Sequence, residues 1–178
     1  ALPVLDATTA ELRERDLVPF AAGIDAGAPM VMMGHIAVSA WDPGVPASLS
    51  PAAYDHLRDE LGFTGVAVTD GLDMGALTAT RSSAEIAVEA LQAGADLLLT
   101  PVDVREARDG IVDAIADGSL DRERLTEAAG RVIAMVRWQA DLLDDAGGAD
   151  SDAVGTAGDA VADLAAAAVT VVAGECSG

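Results

Sequence analysis

The sequence predicts a parallel α/β fold from three features: short apolar runs without polar alternation, helical patterns between them, and cap or turn residues at the junctions. The runs are residues 30–33 in PMVMMGH, 65–69 in GVAVT and 96–100 in DLLLT. An unbroken apolar run suits a strand covered on both faces, and the connections have the length that a right-handed crossover between parallel strands needs. The order is β then α, repeated.

Before the first strand, residues 11–23 read as a helix that Thr8 or Thr9 can cap, with Leu12, Leu17 and Phe20 as apolar anchors. Pro19 kinks it or splits it in two. Residues 35–49 form a loop containing Pro43, Gly44 and Pro46. Ser50 then fits an N-cap with Pro51 at the first helical position, and a helix over 51–61 closes at Gly62. After the second strand Gly71 and Gly75 loosen the chain. Ser82 or Ser83 caps a helix over 84–93, Glu85 completes a capping box, and Gly94 ends it. Two further helices cover 104–117, ending at Gly118, and 122–143, capped by Asp121. In the second of these Leu125, Ala129, Val132 and Val136 form a stripe expected to pack on the sheet.

Residues 144–159 are an acidic linker rich in Asp, Gly and Ala, with little to bury. Beyond it, 160–168 suits a helix and 169–173 a strand, so 160–178 is expected to begin a second, truncated α/β domain. The opening ALPVLDATTAELRERDL reads as the interior of a longer protein, and the chain is expected to be a fragment.

Composition narrows the partners. At 178 residues with 51% hydrophobic content the chain can fill a sizeable core. Its 30 acidic residues against 10 basic ones, all arginine, give a net charge of -20. Such a surface repels nucleic acid and anionic membranes. Cys176 is the sole cysteine, which excludes an intrachain disulfide and a thiolate metal cluster. No apolar run reaches the ~18 residues of a membrane span. No cofactor is expected, and the compartment stays open.

The residue that points to chemistry is Asp70, which ends GVAVTD. In parallel α/β proteins ligands gather at the carboxyl ends of strands, so a carboxylate there is placed to meet a substrate. The plain alternative is that Asp70 caps the following turn. His35 ends the preceding strand and is a second candidate, to bind a substrate or to orient Asp70. Met74 is a candidate for lining the same pocket, or for filling core. Trp41 is a weaker candidate for stacking on a bound substrate. His56 reads as a solvent-facing or packing residue. Asp73 near Asp70 does not gather the ligands a metal site needs. A phospho-accepting receiver domain also ends a strand in Asp, but needs a nearby lysine, and this chain has none.

The segment PASLSPAAYDHLRDELGFTGVAVTDGLDM resembles the family 3 glycoside hydrolases, and more narrowly their β-N-acetylhexosaminidase branch. Pro46 to Ser50, Arg58, Glu60 to Phe63, Gly65, Thr69 and Asp70 carry the match. LPVLDAT, DLVPF, VMMGHI and ALQAGADLLL flank it in the same order, over about residues 1 to 140. His56 and Ala67 depart from the usual aliphatic residues. Gly71, Leu72, Asp73 and Met74 are similar to the hexosaminidase form, where the glucosidase branch carries Trp.

The resemblance implies that residues 1–143 are the last three βα units of a (β/α)8 TIM-type barrel. It also implies that Asp70 is the nucleophile of a retaining hydrolase of terminal β-linked N-acetylhexosamine in cell-wall or chitin-like glycans. The acid/base histidine of that branch lies on an upstream loop absent from this sequence, so the chain alone is expected to be inactive. A β-glucosidase, or a sugar-binding relative without catalysis, is the alternative.

Overall fold

The computed structural model describes residues 2–145 and 158–168, divided into two units, 1–138 and 139–178. The first unit is built on a three-stranded parallel sheet in the order β2 (Met30–Met33), β4 (Val66–Gly71), β5 (Leu97–Leu99). The three expected strands are present. β4 is the centre, and Val66, Ala67, Val68 and Thr69 are all buried, as an unbroken apolar run on both faces requires. β4 continues two residues beyond Thr69, so Asp70 lies within its last pair of residues and not past its end. A smaller parallel pair, β1 (Val4–Leu5) with β3 (Ala37–Val38), escaped the sequence reading because two-residue strands carry no periodicity. β3 lies inside the stretch read as loop.

The first helix is split, as Pro19 suggested, but the break falls at Leu17. Thr8 caps α1 (Thr9–Glu11) in a full capping box with Glu11, and a π-helical turn over Leu12–Asp16 separates it from α2 (Val18–Asp25). The extra residue of a π turn rotates the following face by about 100°. Leu12 is buried, and the expected anchor Phe20, 47% exposed, lines an apolar groove with Leu17, Val31 and Met33. Ser50 accepts from the Ala53 N–H at the start of α3 (Pro51–Asp55), which also runs on as a π turn, His56–Glu60. A short α4 (Gly75–Thr78) follows β4. Ser82 and Glu85 form the capping box of α5 (Ser83–Ala93). α5 packs closely on α6 (Val104–Asp117), where Gly110 meets Ala84 so tightly that an added Cβ would come within 2.6 Å of the Ala84 Cβ.

The stripe expected on α7 (Arg122–Asp145) is corrected. Ala128 is buried while Ala129 and Val136 are exposed, and Leu125 and Ala128 pack with Leu91, Ala114 and Leu120 of the helical layer. Arg124 and Arg131, on the same face as Ala128, both reach the buried Asp96, so ion pairs share this face with apolar packing. The main core lies between the sheet, α3 and α5, with Tyr54, Leu57, Phe63, Leu72, Leu77 and Ile86 inside. In the second unit α8 (Gly158–Ala168) is helical and its side chains are exposed, in accord with the helix expected over 160–168. Most of the linker and the strand expected over 169–173 lie outside the described residues.

Candidate active site

The β4–β5 ladder is irregular where chemistry was expected. Val68 pairs with Leu97 and Gly71 with Leu99, so three steps on β4 oppose two on β5. That extra residue is a bulge, a device that re-aims a side chain at the end of a strand. The buried Thr69 accepts the Leu99 N–H through its hydroxyl at 3.1 Å, and Leu72 N–H returns to the Leu99 carbonyl at 2.9 Å. Asp70, between them, is part-exposed, and its Oδ1 accepts from the Gly71 N–H at 2.7 Å. Sequence reading located this aspartate but not the bulge, which depends on pairing with a distant strand.

His35 lies just past β2 and is only 3% exposed. Its Nε2 is 2.8 Å from the Gly71 carbonyl oxygen and its Nδ1 is 2.6 Å from Ser48 Oγ. A carbonyl only accepts, so Nε2 carries the proton; in the neutral ring Nδ1 is then the acceptor and the Ser48 hydroxyl the donor. Both nitrogens are thus engaged by the protein, and the ring holds the residue next to Asp70. Ser48, fully buried, was part of the matched PASLS loop, yet nothing in its spacing foretold this contact. The Tyr54 hydroxyl donates to the Ser48 carbonyl at 3.2 Å. Burial, reinforced by the Asp96 charge, pushes the Tyr54 phenol well above its usual range, so it remains a donor.

Met74 is 45% exposed at the N-cap of α4, and its N–H donates to the Gly71 carbonyl at 3.1 Å, two facts that put its side chain on the open side of the same turn. Asp73 is exposed, and its carboxylate accepts from the Thr100 hydroxyl at 3.3 Å. Trp41 is not free: its ring stacks on His56 with centroids 4.4 Å apart, and the His56 Nδ1 is 2.7 Å from Glu60 Oε1. This agrees with the packing role expected for His56. Among the described residues no group of three or more His, Cys, Asp or Glu side chains is arranged to hold a metal, and no helix is long and apolar enough to cross a membrane.

Among the described residues, the opposite end of the sheet carries a dense charge cluster that the sequence did not announce. Asp96, just before β5, has a fully buried carboxylate 2.6 Å from Arg58, 2.6 Å from Arg124 and 3.2 Å from Arg131. It also accepts from the Ala67 N–H at 3.0 Å. Arg58 donates to the carbonyls of Phe63 and Gly65 ahead of β4; burial lowers its pKa, and the Asp96 charge opposes that. In parallel α/β folds this amino end is the stability face and the carboxyl end the reactive one. The only hint in the sequence was the pair Arg124 and Arg131, seven apart on one helix face.

Parallel βα units with a part-exposed carboxylate at the carboxyl end of the central strand define the class as α/β. Residues 1–135 match the model of the Glycosyl hydrolase family 3 N terminal domain, and the chain belongs to that family, whose fold is TIM-barrel-like α/β. It is 38% identical over 135 residues to a beta-hexosaminidase of Stenotrophomonas maltophilia, covering 75% of this chain and 39% of that protein. It is 33% identical over 129 residues to a beta-N-acetylglucosaminidase/beta-glucosidase of Cellulomonas fimi, covering 66% and 23%. The solved family 3 beta-N-acetylglucosaminidase of Paenibacillus sp. FPU-7 superposes with a TM-score of 0.76 at 34% identity, over 86% of this chain and 30% of that one. The chain spans 26% to 39% of the length of the first curated relatives it matches.

Proposed function

We propose that the protein of which this chain is a part is a retaining β-N-acetylhexosaminidase and that Asp70 is its nucleophile. The observation that carries the reading is the part-exposed Asp70 carboxylate on a bulge at the carboxyl end of β4, inside a family 3 sequence. An Asp70 oxygen attacks the anomeric carbon, the glycosidic C–O bond breaks, and the leaving oxygen takes a proton from an acid outside this chain. Water then hydrolyses the glycosyl ester with overall retention. Met74, on the same turn, is proposed to line the sugar site. His35 is proposed to serve that site from behind Asp70.

Residues 1–143 are proposed to be the last three βα units of the eight-stranded barrel, followed by a linker over 144–159 and the start of a second domain. Support comes from the short span against its relatives and from β2, which among the described residues pairs on one side only and leaves Met32 52% exposed. An unpaired parallel edge with apolar side chains needs further strands to cover it. The 178-residue chain alone is therefore expected to be inactive on p-nitrophenyl N-acetyl-β-glucosaminide. The nucleophile is tested in the complete protein by trapping with a fluorinated N-acetylglucosamine inactivator and mapping the labelled peptide. A label on any residue but Asp70 overturns the assignment. A β-glucosidase is the second reading, favoured by the dual name of the Cellulomonas fimi relative.

A further inference from the structure

We propose that Ser48 is a positioning residue for Asp70, acting through the His35 ring and the Gly71 backbone; this rests on the reading of Asp70 as nucleophile. Gly71 is the pivot. Its N–H is held by Asp70 Oδ1 at 2.7 Å and its carbonyl by His35 Nε2 at 2.8 Å. Without a side chain, the two peptide planes that meet at a glycine are joined only by soft φ and ψ rotations. Both planes are held from outside, the carbonyl by the buried His35 ring and by the Met74 N–H at 3.1 Å and the amide by Asp70 itself, and together these bonds restrict the rotations at Gly71 and so the direction of the preceding carboxylate.

The ring can do this only in one tautomer. If the proton sat on Nδ1, the Nε2 lone pair would face the Gly71 oxygen and repel it. The Gly71 carbonyl, which only accepts, sets the tautomer, and the Ser48 hydroxyl, 2.6 Å away, then donates to the bare Nδ1 and fixes the tilt of the ring so that Nε2–H stays on that carbonyl. Ser48 is itself tied at both ends of its backbone: its N–H donates to the Gly34 carbonyl at 3.2 Å and its carbonyl accepts from Tyr54 at 3.2 Å. The relay runs from a fixed loop, through the His35 ring, to the residue that follows Asp70. Outer partners of this kind hold a reactive group to the sub-ångström placement that catalysis demands.

The test uses the complete protein and p-nitrophenyl N-acetyl-β-glucosaminide, with kcat and KM measured separately. His35→Gln carries an amide N–H to the Nε2 position and is expected to keep kcat within about 5-fold. His35→Asn reaches only the Nδ1 position and is expected to lose about 10²-fold, with KM moved by less than about 3-fold in both. Ser48→Ala is expected to lower kcat about 10-fold at unchanged KM. Equal kcat in the two His35 variants, a loss carried by KM, or full activity of Ser48→Ala overturns the relay. Nitrogen-15 NMR of the imidazole, assigned by its loss in His35→Gln, gives a readout free of activity and of variant folding. It should show protonated Nε2 and bare Nδ1, and the reverse tautomer sinks the proposal. An inactivator label on Asp70 together with an unaffected Ser48→Ala rate would leave the nucleophile standing and reject the relay alone.

Discussion

Replacing Asp96 by Ala should destabilise the chain severely, although it removes an acid from a molecule of net charge -20. The global charge predicts the opposite sign, since each acid lost reduces self-repulsion. The local geometry decides. The carboxylate is fully buried and takes hydrogen bonds from Arg58, Arg124, Arg131 and the Ala67 N–H. Removing one partner from a buried ion pair costs about 3–5 kcal/mol, and an orphaned strand N–H adds about 1–3 kcal/mol. Arg58 and Arg124 retain carbonyl partners at Phe63, Gly65 and Ala95, which softens the loss, so the expected value is about 4 kcal/mol. Urea unfolding followed by far-UV circular dichroism should show the midpoint falling by about 2 M at an m-value of about 2 kcal/mol/M. Arg131→Ala, at 3.2 Å and more exposed than Arg58 or Arg124, should cost about 1 kcal/mol because Asp96 keeps two cations. A change below about 1 kcal/mol for Asp96→Ala, or a gain in stability, would refute the view that local pairing outweighs global charge here.

Gly94→Ala should cost about 3 kcal/mol in the same titration, because φ is +130° and the new Cβ would sit 2.8 Å from the Tyr54 Cβ and Cγ. Gly118→Ala, at φ +82° in open space, should cost only about 1 kcal/mol, and equal losses would deny the Tyr54 contact its role. The Ser82 backbone N–H, and after it the Ser82 side chain, hold the Glu85 carboxyl below its usual 4.5. Its folded pKa is depressed, so its contribution is present above pH 4.5 and fades as pH falls through the lower folded value; Glu85→Gln should flatten that part of an acid titration of stability. In the complete protein, N-acetylglucosaminide should be preferred to glucoside by at least ~10²-fold in kcat/KM, about 2.7 kcal/mol, since a site built for an acetamido group leaves polar partners unpaired without it. Equal rates would favour the glucosidase reading and leave Asp70 untouched.

What was legible in the sequence were the features written in nearest neighbours. The three strands, the caps at Thr8, Ser50 and Ser82, and the closing glycines 62, 94 and 118 each depend on a few adjacent residues. Asp70 was legible because a polar residue terminates an apolar run. The failures share a different cause. The π turn over Leu12–Asp16 leaves no mark in the residue spacing, and Arg124 on α7 meets a carboxylate 28 positions away. The bulge at Asp70 needs the register of β5, and the Ser48–His35–Gly71 contacts join residues 13 and 36 apart. Period and propensity carry no record of such meetings.

The three-arginine cage around Asp96 and the bulge at Asp70 occupy opposite ends of the same β4–β5 pair, and this separates two ways in which the protein can be impaired. A substitution at the amino end alters how many molecules reach the native state, while those that do should turn over substrate normally. On the reading of Asp70 as nucleophile, a substitution of that part-exposed carboxylate should instead slow each folded molecule. Crude activity of a variant therefore confounds abundance with competence, and only normalisation to folded protein tells the two apart.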